Sequence, residues 1–125
     1  MEMQIKYFTH SEAKKTLPLV KQIVKDIIKT AGEMRILAES LGNNAESDPG
    51  ILNMMDQING YIKEIEDLGC YYKDWNFSIG LVDFPSVIQG REVLLCWRSD
   101  EEEIIYYHDM EAGYQGRKLI PDEYL

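Results

Sequence analysis

Three kinds of group in the second half of the chain could do chemistry on a small molecule. They are the carboxylates of Asp83, Asp109 and Glu111, the imidazole of His108, and the guanidinium groups of Arg91, Arg98 and Arg117. These charges sit within or beside short apolar runs such as Leu81-Val82-Asp83-Phe84 and Val93-Leu94-Leu95-Cys96-Trp97-Arg98, where a strand is expected to carry β-branched and aromatic residues. A carboxylate beside an imidazole can orient it for acid–base work or join it on a metal. A metal wants at least three protein ligands, and Asp83, His108, Asp109 and Glu111 are the set that offers them, although their spacing matches no ligand motif. The arginines would hold an anionic substrate. The plainer reading of His108 is a hydrogen-bonded packing residue at the end of an aromatic strand. Gly113-Tyr114-Gln115-Gly116-Arg117 lacks the Lys-Ser or Lys-Thr of a phosphate-binding loop, so its glycines read as tight turns.

Composition narrows what these groups can serve. The 125 residues carry a net charge of −9, which disfavours nucleic acid and anionic membranes as partners. Apolar residues make up 45% of the chain and the mean hydropathy is −0.33, as in globular single domains, so residues 1–125 read as one unit. Cys70 and Cys96 are too few and too far apart for a disulfide scaffold or a zinc motif, and read as small buried hydrophobes. No stretch approaches the roughly 20 apolar residues of a membrane span, and no signal-peptide core is evident, so a cytoplasmic location is expected.

The elements that must position the charged groups begin with a helical hairpin over residues 9–69. Thr9-His10-Ser11-Glu12 fits a capping box, with Phe8 before it. Ala13, Leu17, Val20, Val24, Ile27, Ala31, Met34, Ala38 and Leu41 then alternate spacings of four and three, the seam of a helix packed lengthwise on another. Pro18 predicts a bend. Gly42-Asn43-Asn44 stops the helix and Asp48-Pro49 starts a second, carrying Ile51, Met55, Ile58, Ile62 and Ile65 to a stop near Gly69. The first helix outruns the second, so its base must cover something else, and the small β module over residues 70–125 is the candidate. Surplus apolar positions along the distal seam predict a homodimer of hairpins.

The β module reads as an antiparallel sheet in an α+β fold. Tyr71-Tyr72-Lys73 is a short first strand, and residues 81–84 form a second, stopped by Pro85. Gln89-Gly90 is a turn, residues 92–98 form the clearest strand, and residues 103–108 return after a four-residue loop. That loop predicts Arg98 opposite Glu103, Trp97 opposite Ile104, Leu95 opposite Tyr106 and Val93 opposite His108. In this register Arg98 and Glu103 form an ordinary cross-strand ion pair, and His108 shares a face with Val93, Leu95 and Trp97.

Phe8-Thr9, Glu12-Ala13 and Leu17-Pro18, followed by residues 80–85, Gly90-Arg91, Leu95-Cys96-Trp97, His108 and Gly116-Arg117, resemble domain of unknown function family 2203, a family of small prokaryotic proteins. The resemblance runs nearly end to end. Where family members read Trp-His this chain has Tyr107-His108. The resemblance brings no activity with it. It does place signature residues both at the base of the first helix and in the β module. That implies a composite site between them, containing Glu12, Asp83, Arg91, Trp97, Arg98, His108 and Arg117.

The expected function is therefore a non-enzymatic, dimeric helical hairpin whose β module binds a small anionic ligand or a protein partner. The alternative is a metal-dependent or acid–base enzyme acting on a small anionic substrate through Asp83, His108 and the arginines. A scaffold acting through its helices alone is a third reading. The sequence leaves the cofactor unknown.

Overall fold

The computed structural model describes residues 4–125. Helix α1 (His10–Leu41) opens on the anticipated capping box: the Thr9 hydroxyl accepts the Glu12 N–H at 3.1 Å, and the Glu12 carboxylate accepts the Thr9 N–H at 3.0 Å. α1 runs unbroken through Pro18 for 32 residues, so the proline does not divide it into two segments. A 3-10 turn, Gly42–Ser47, reverses the chain. Helix α2 (Pro49–Asp67) starts with the Asp48 carboxylate accepting the Ile51 N–H and with proline in the first turn, where its missing N–H costs nothing. The two helices pack as an antiparallel hairpin.

The α+β architecture is completed by a five-stranded antiparallel sheet in the order β1-β2-β3-β4-β5. The strands are β1 (Tyr71–Tyr72), β2 (Leu81–Ile88), β3 (Arg91–Arg98), β4 (Tyr106–Asp109) and β5 (Lys118–Leu119). Gln89 and Gly90, at φ 53° and 75°, join β2 to β3 in a two-residue turn with both central residues left-handed. Pro85 does not stop β2. Its ring nitrogen points to the side where β1 has already ended, so no ladder bond is lost there, and its carbonyl accepts the Phe8 N–H at 2.7 Å. The segment before α1 thus lies along the free edge of β2, fixed again by the Ser86 hydroxyl donating to the Phe8 carbonyl.

The sheet's inner face carries Val82, Phe84, Val93, Leu95 and Trp97, all buried in one cluster with Ala13, Leu17, Val20, Val24 and Ile27 of α1 and Ile58, Ile62 and Ile65 of α2. The base of α1 therefore covers the β module, as the helix lengths require. It packs tightly against Gly80, whose φ is +71° and whose missing Cβ would lie 2.5 Å from Cγ1 of Val24. Lys21 donates to the Glu102 carbonyl at 2.8 Å, and the His10 ring Nε2 donates to the Ile104 carbonyl at 2.7 Å.

The distal end of the hairpin is different: beyond Ala31 no α1 side chain is fully buried, and Ile36, Leu52 and Met55 are exposed. Among the described residues, no helix is long and apolar enough to cross a membrane.

The register between β3 and β4 is one residue away from the sequence expectation. Val93 pairs Asp109, Leu94 pairs His108, Leu95 pairs Tyr107 and Cys96 pairs Tyr106. The connecting loop is not a four-residue turn, because residues 99–105 leave the ladder. Glu101 folds back to donate its N–H to the Arg98 carbonyl, accepts the Arg98 N–H with its carboxylate, and receives the Trp97 indole N–H on its carbonyl. Ile104 turns into the core at 2% exposure. A one-residue shift sends every β4 side chain to the opposite face. His108 consequently leaves Val93, Leu95 and Trp97 and joins Leu94 and Cys96 on the outer face, away from the helices.

Candidate functional site

Asp83 on β2 lies directly opposite Cys96 on β3, and His108 on β4 lies opposite Leu94, two residues along β3 on the same face. Three adjacent strands thus each place one ionisable side chain on the outer face. Asp83 is 3% exposed, Cys96 1% and His108 3%. One carboxylate oxygen of Asp83, the Cys96 Sγ and one ring nitrogen of His108 all lie within 4.8 Å of one another. Above them is a depression of about 290 Å³ bordered by Lys73, Leu81, Leu94, Met110, Gly113 and Tyr114.

The hydrogen bonds fix the state of the imidazole. His108 Nδ1 lies 2.8 Å from the Asp109 carbonyl, which can only accept, so Nδ1 carries a proton. His108 Nε2 lies 3.2 Å from Asp83 Oδ1. The bond to Asp83 raises the His108 pKa above its ordinary value, and burial opposes it only in part. Cys96 is pushed up to about 12, chiefly by burial and then by the Asp83 charge, so it is a thiol rather than a thiolate when no cation is near.

Of the remaining predicted site residues Arg117 alone reaches this cluster, where its charge acts on the Cys96 thiol against the effect of burial. Glu12 is consumed by the capping box, which lowers its pKa through the Thr9 N–H, and it belongs to α1, on the other side of the sheet. Trp97 is a core residue on the inner face, 1% exposed. Arg98 does not pair with Glu103. Its guanidinium grips Asp100 at 2.5 and 2.8 Å and donates to the Tyr114 hydroxyl, because the 99–105 loop brings Asp100 rather than Glu103 alongside. Arg117 pairs with Glu101 at 2.5 Å and stacks 4.0 Å from the Tyr106 ring centroid. Arg91 is largely in solvent, 3.8 Å from Asp109.

The composite site between the helix base and the sheet is therefore not formed, because the register turns Asp83 and His108 to the outer face. The predicted metal set changes as well. Asp109 is shared between Arg91 and Lys118, and Glu111 borders a separate surface depression with Arg91. Asp83 and His108 remain together, and Cys96 takes the third place.

The comparisons with known proteins give a family and nothing finer. A family model described as an uncharacterized conserved protein (DUF2203) matches residues 6–120. The chain belongs to that family. No curated protein and no solved structure matches it. The segment matched to DUF2203 includes Asp83, Cys96 and His108, the depression above them and the α1 base that braces the sheet.

Two contributors to this site were not found from sequence. Cys96 read as a hydrophobe because its partners are visible only once the register is known. Asp74 carries the other omission: its carboxylate accepts the N–H groups of Asn76, Ser78, Ile79 and Gly80 at 2.8–3.2 Å, shaping the loop between Lys73 and β2. The Asp74-Trp75-Asn76-Phe77-Ser78 spacing is the signal that would have marked it as a turn.

Proposed function

We propose that the β half of this protein is a binding module for a small anionic ligand, seated on the outer face of the sheet, with the helical hairpin as its rigid support. The observation that carries this reading is the convergence of three buried ionisable side chains from three strands beneath an open depression. Sites built on strands hold geometry better than sites built on loops. Lys73 at the rim and a His108 whose protonated form is favoured supply positive charge on an otherwise acidic protein.

A binding role is favoured over acid–base catalysis because both ring nitrogens of His108 are already engaged within the protein, Nδ1 by the Asp109 carbonyl and Nε2 by Asp83. Of the arginines assigned to the substrate in the enzymatic alternative, Arg98 and Arg117 are held by Asp100 and Glu101, and Arg91 lies largely in solvent.

Thermal unfolding with acetate, inorganic phosphate or citrate tests the proposal, since a ligand at 100 times its Kd stabilises the native state by about 2.7 kcal/mol. At least one of these anions should raise the midpoint of the wild type and fail to raise that of Lys73→Ala. No response in the wild type, or an equal response in Lys73→Ala, contradicts the reading.

For the distal hairpin the partner we propose is a second copy of the chain, which would cover Ile36, Leu52 and Met55 by pairing two hairpins. Light scattering at twice the chain mass supports this, and a monodisperse monomer refutes it.

A further inference from the structure

We infer that Asp83, Cys96 and His108 are the three protein ligands of a zinc-like divalent cation, whose fourth position opens into the depression. The inference uses the same outer-face site as the proposed anion binding, but does not require that the anion bind.

The geometry fits a tetrahedral centre. Zinc bound at about 2.0 Å to nitrogen and oxygen gives a tetrahedral edge of roughly 3.3 Å. The Asp83 Oδ1 to His108 Nε2 separation is 3.2 Å, and Cys96 Sγ lies within 4.8 Å of a carboxylate oxygen of Asp83 and a ring nitrogen of His108.

The supporting hydrogen bond is also the one a metal-bound histidine uses. Zinc-ligating imidazoles almost always donate their other N–H to a carboxylate, carbonyl or water, which fixes the tautomer and aims the free nitrogen at the metal. His108 donates Nδ1–H to the Asp109 carbonyl at 2.8 Å and aims Nε2 at Asp83.

The donor set argues for the class of cation. One sulfur, one nitrogen and one oxygen suit zinc and its neighbours in the first transition row, whereas magnesium and calcium take oxygen alone. Binding displaces the Cys96 thiol proton, which leaves as the cation enters. Three protein ligands with an open fourth position is the arrangement of sites that take an exogenous ligand. Lys73 and Tyr114 border that position, so an anion bound to the metal would sit beside an ammonium group.

Cobalt(II) titration of the purified chain tests the assignment. One equivalent should produce the near-ultraviolet absorption of a thiolate-to-cobalt charge transfer, and zinc should abolish it by displacement. The band should persist in Cys70→Ala, disappear in Cys96→Ala, and require at least about 100-fold more cobalt in His108→Ala, since even the loss of a supporting hydrogen bond costs 10–100-fold. A wild type without the band, or a band that survives Cys96→Ala, overturns the inference. If Cys96→Ala does not fold, the zinc absorption-edge spectrum of the wild type decides: one sulfur scatterer supports the site, and none or two overturns it. Phosphate stabilisation measured in chelator, with no cobalt band, overturns the metal site and leaves anion binding standing. A band with no response to any anion does the reverse.

Discussion

Gly80→Ala probes the joint on which the site depends, because Gly80 touches α1 and leads directly into the strand that carries Asp83. Two costs can be worked from its geometry. At φ +71° an alanine occupies the left-handed region at about 1–2 kcal/mol. The new Cβ would also meet Val24 Cγ1 at 2.5 Å and Ser99 Cβ at 3.3 Å, and overpacking of this kind costs roughly 1–3 kcal/mol. The sum is roughly 2–5 kcal/mol, a large part of the 5–15 kcal/mol of a typical domain. Urea unfolding followed by circular dichroism measures it. Val24→Ala in the same chain removes the methyl group that clashes, so the double variant should recover roughly 1–3 kcal/mol relative to additivity while the backbone cost remains. A Gly80→Ala loss below about 1 kcal/mol, or strictly additive variants, would refute the packing of α1 on the sheet at this point.

In chelator, His108 should make stability fall as pH rises. Its folded pKa is raised, so its contribution is full below the unfolded value of about 6.5 and is lost as pH climbs through the folded value. Asp83 and Cys96 face the ring from β2 and β3, and Lys73 opposes its charge from the loop after β1. Urea midpoints between about pH 6.5 and about pH 8, below the ordinary cysteine range, should therefore decline in the wild type and stay flatter in His108→Gln. Equal slopes count against the pair. Asp74→Ala removes a charged acceptor from four backbone N–H groups and should cost about 3 kcal/mol. Hydrogen exchange at Ser78, Ile79 and Gly80 should accelerate in that variant, and unchanged exchange would show that the carboxylate does not hold the loop.

The helical hairpin was legible because its signals are local. Thr9 and Glu12 cap one helix, Asp48 and Pro49 start the other, and the apolar spacing joins them. The β3–β4 register was not legible, because it depends on how seven residues leave the ladder. Glu101 binding back to Arg98 and Trp97 decides that, and neither the charge pattern nor the loop length announces it. The same one-residue difference explains the uneven reading of the site. Asp83 and His108 stood out by residue type. Cys96 became a neighbour of His108 only when β4 turned over, and Arg98 and Arg117, conspicuous in sequence, proved to be held by nearby acids. Pro85 read as a strand stop because the free edge that accommodates it is a tertiary feature.

The central claim is that the outer face of the sheet is the functional face. Titrating isotope-labelled protein with phosphate or citrate and following backbone and imidazole resonances by NMR tests it most directly. The account predicts saturable shifts confined to Lys73, Asp83, Cys96, His108, Gly113 and Tyr114. Shifts clustered instead along α1 and the 99–102 loop, or none at any concentration, would contradict it.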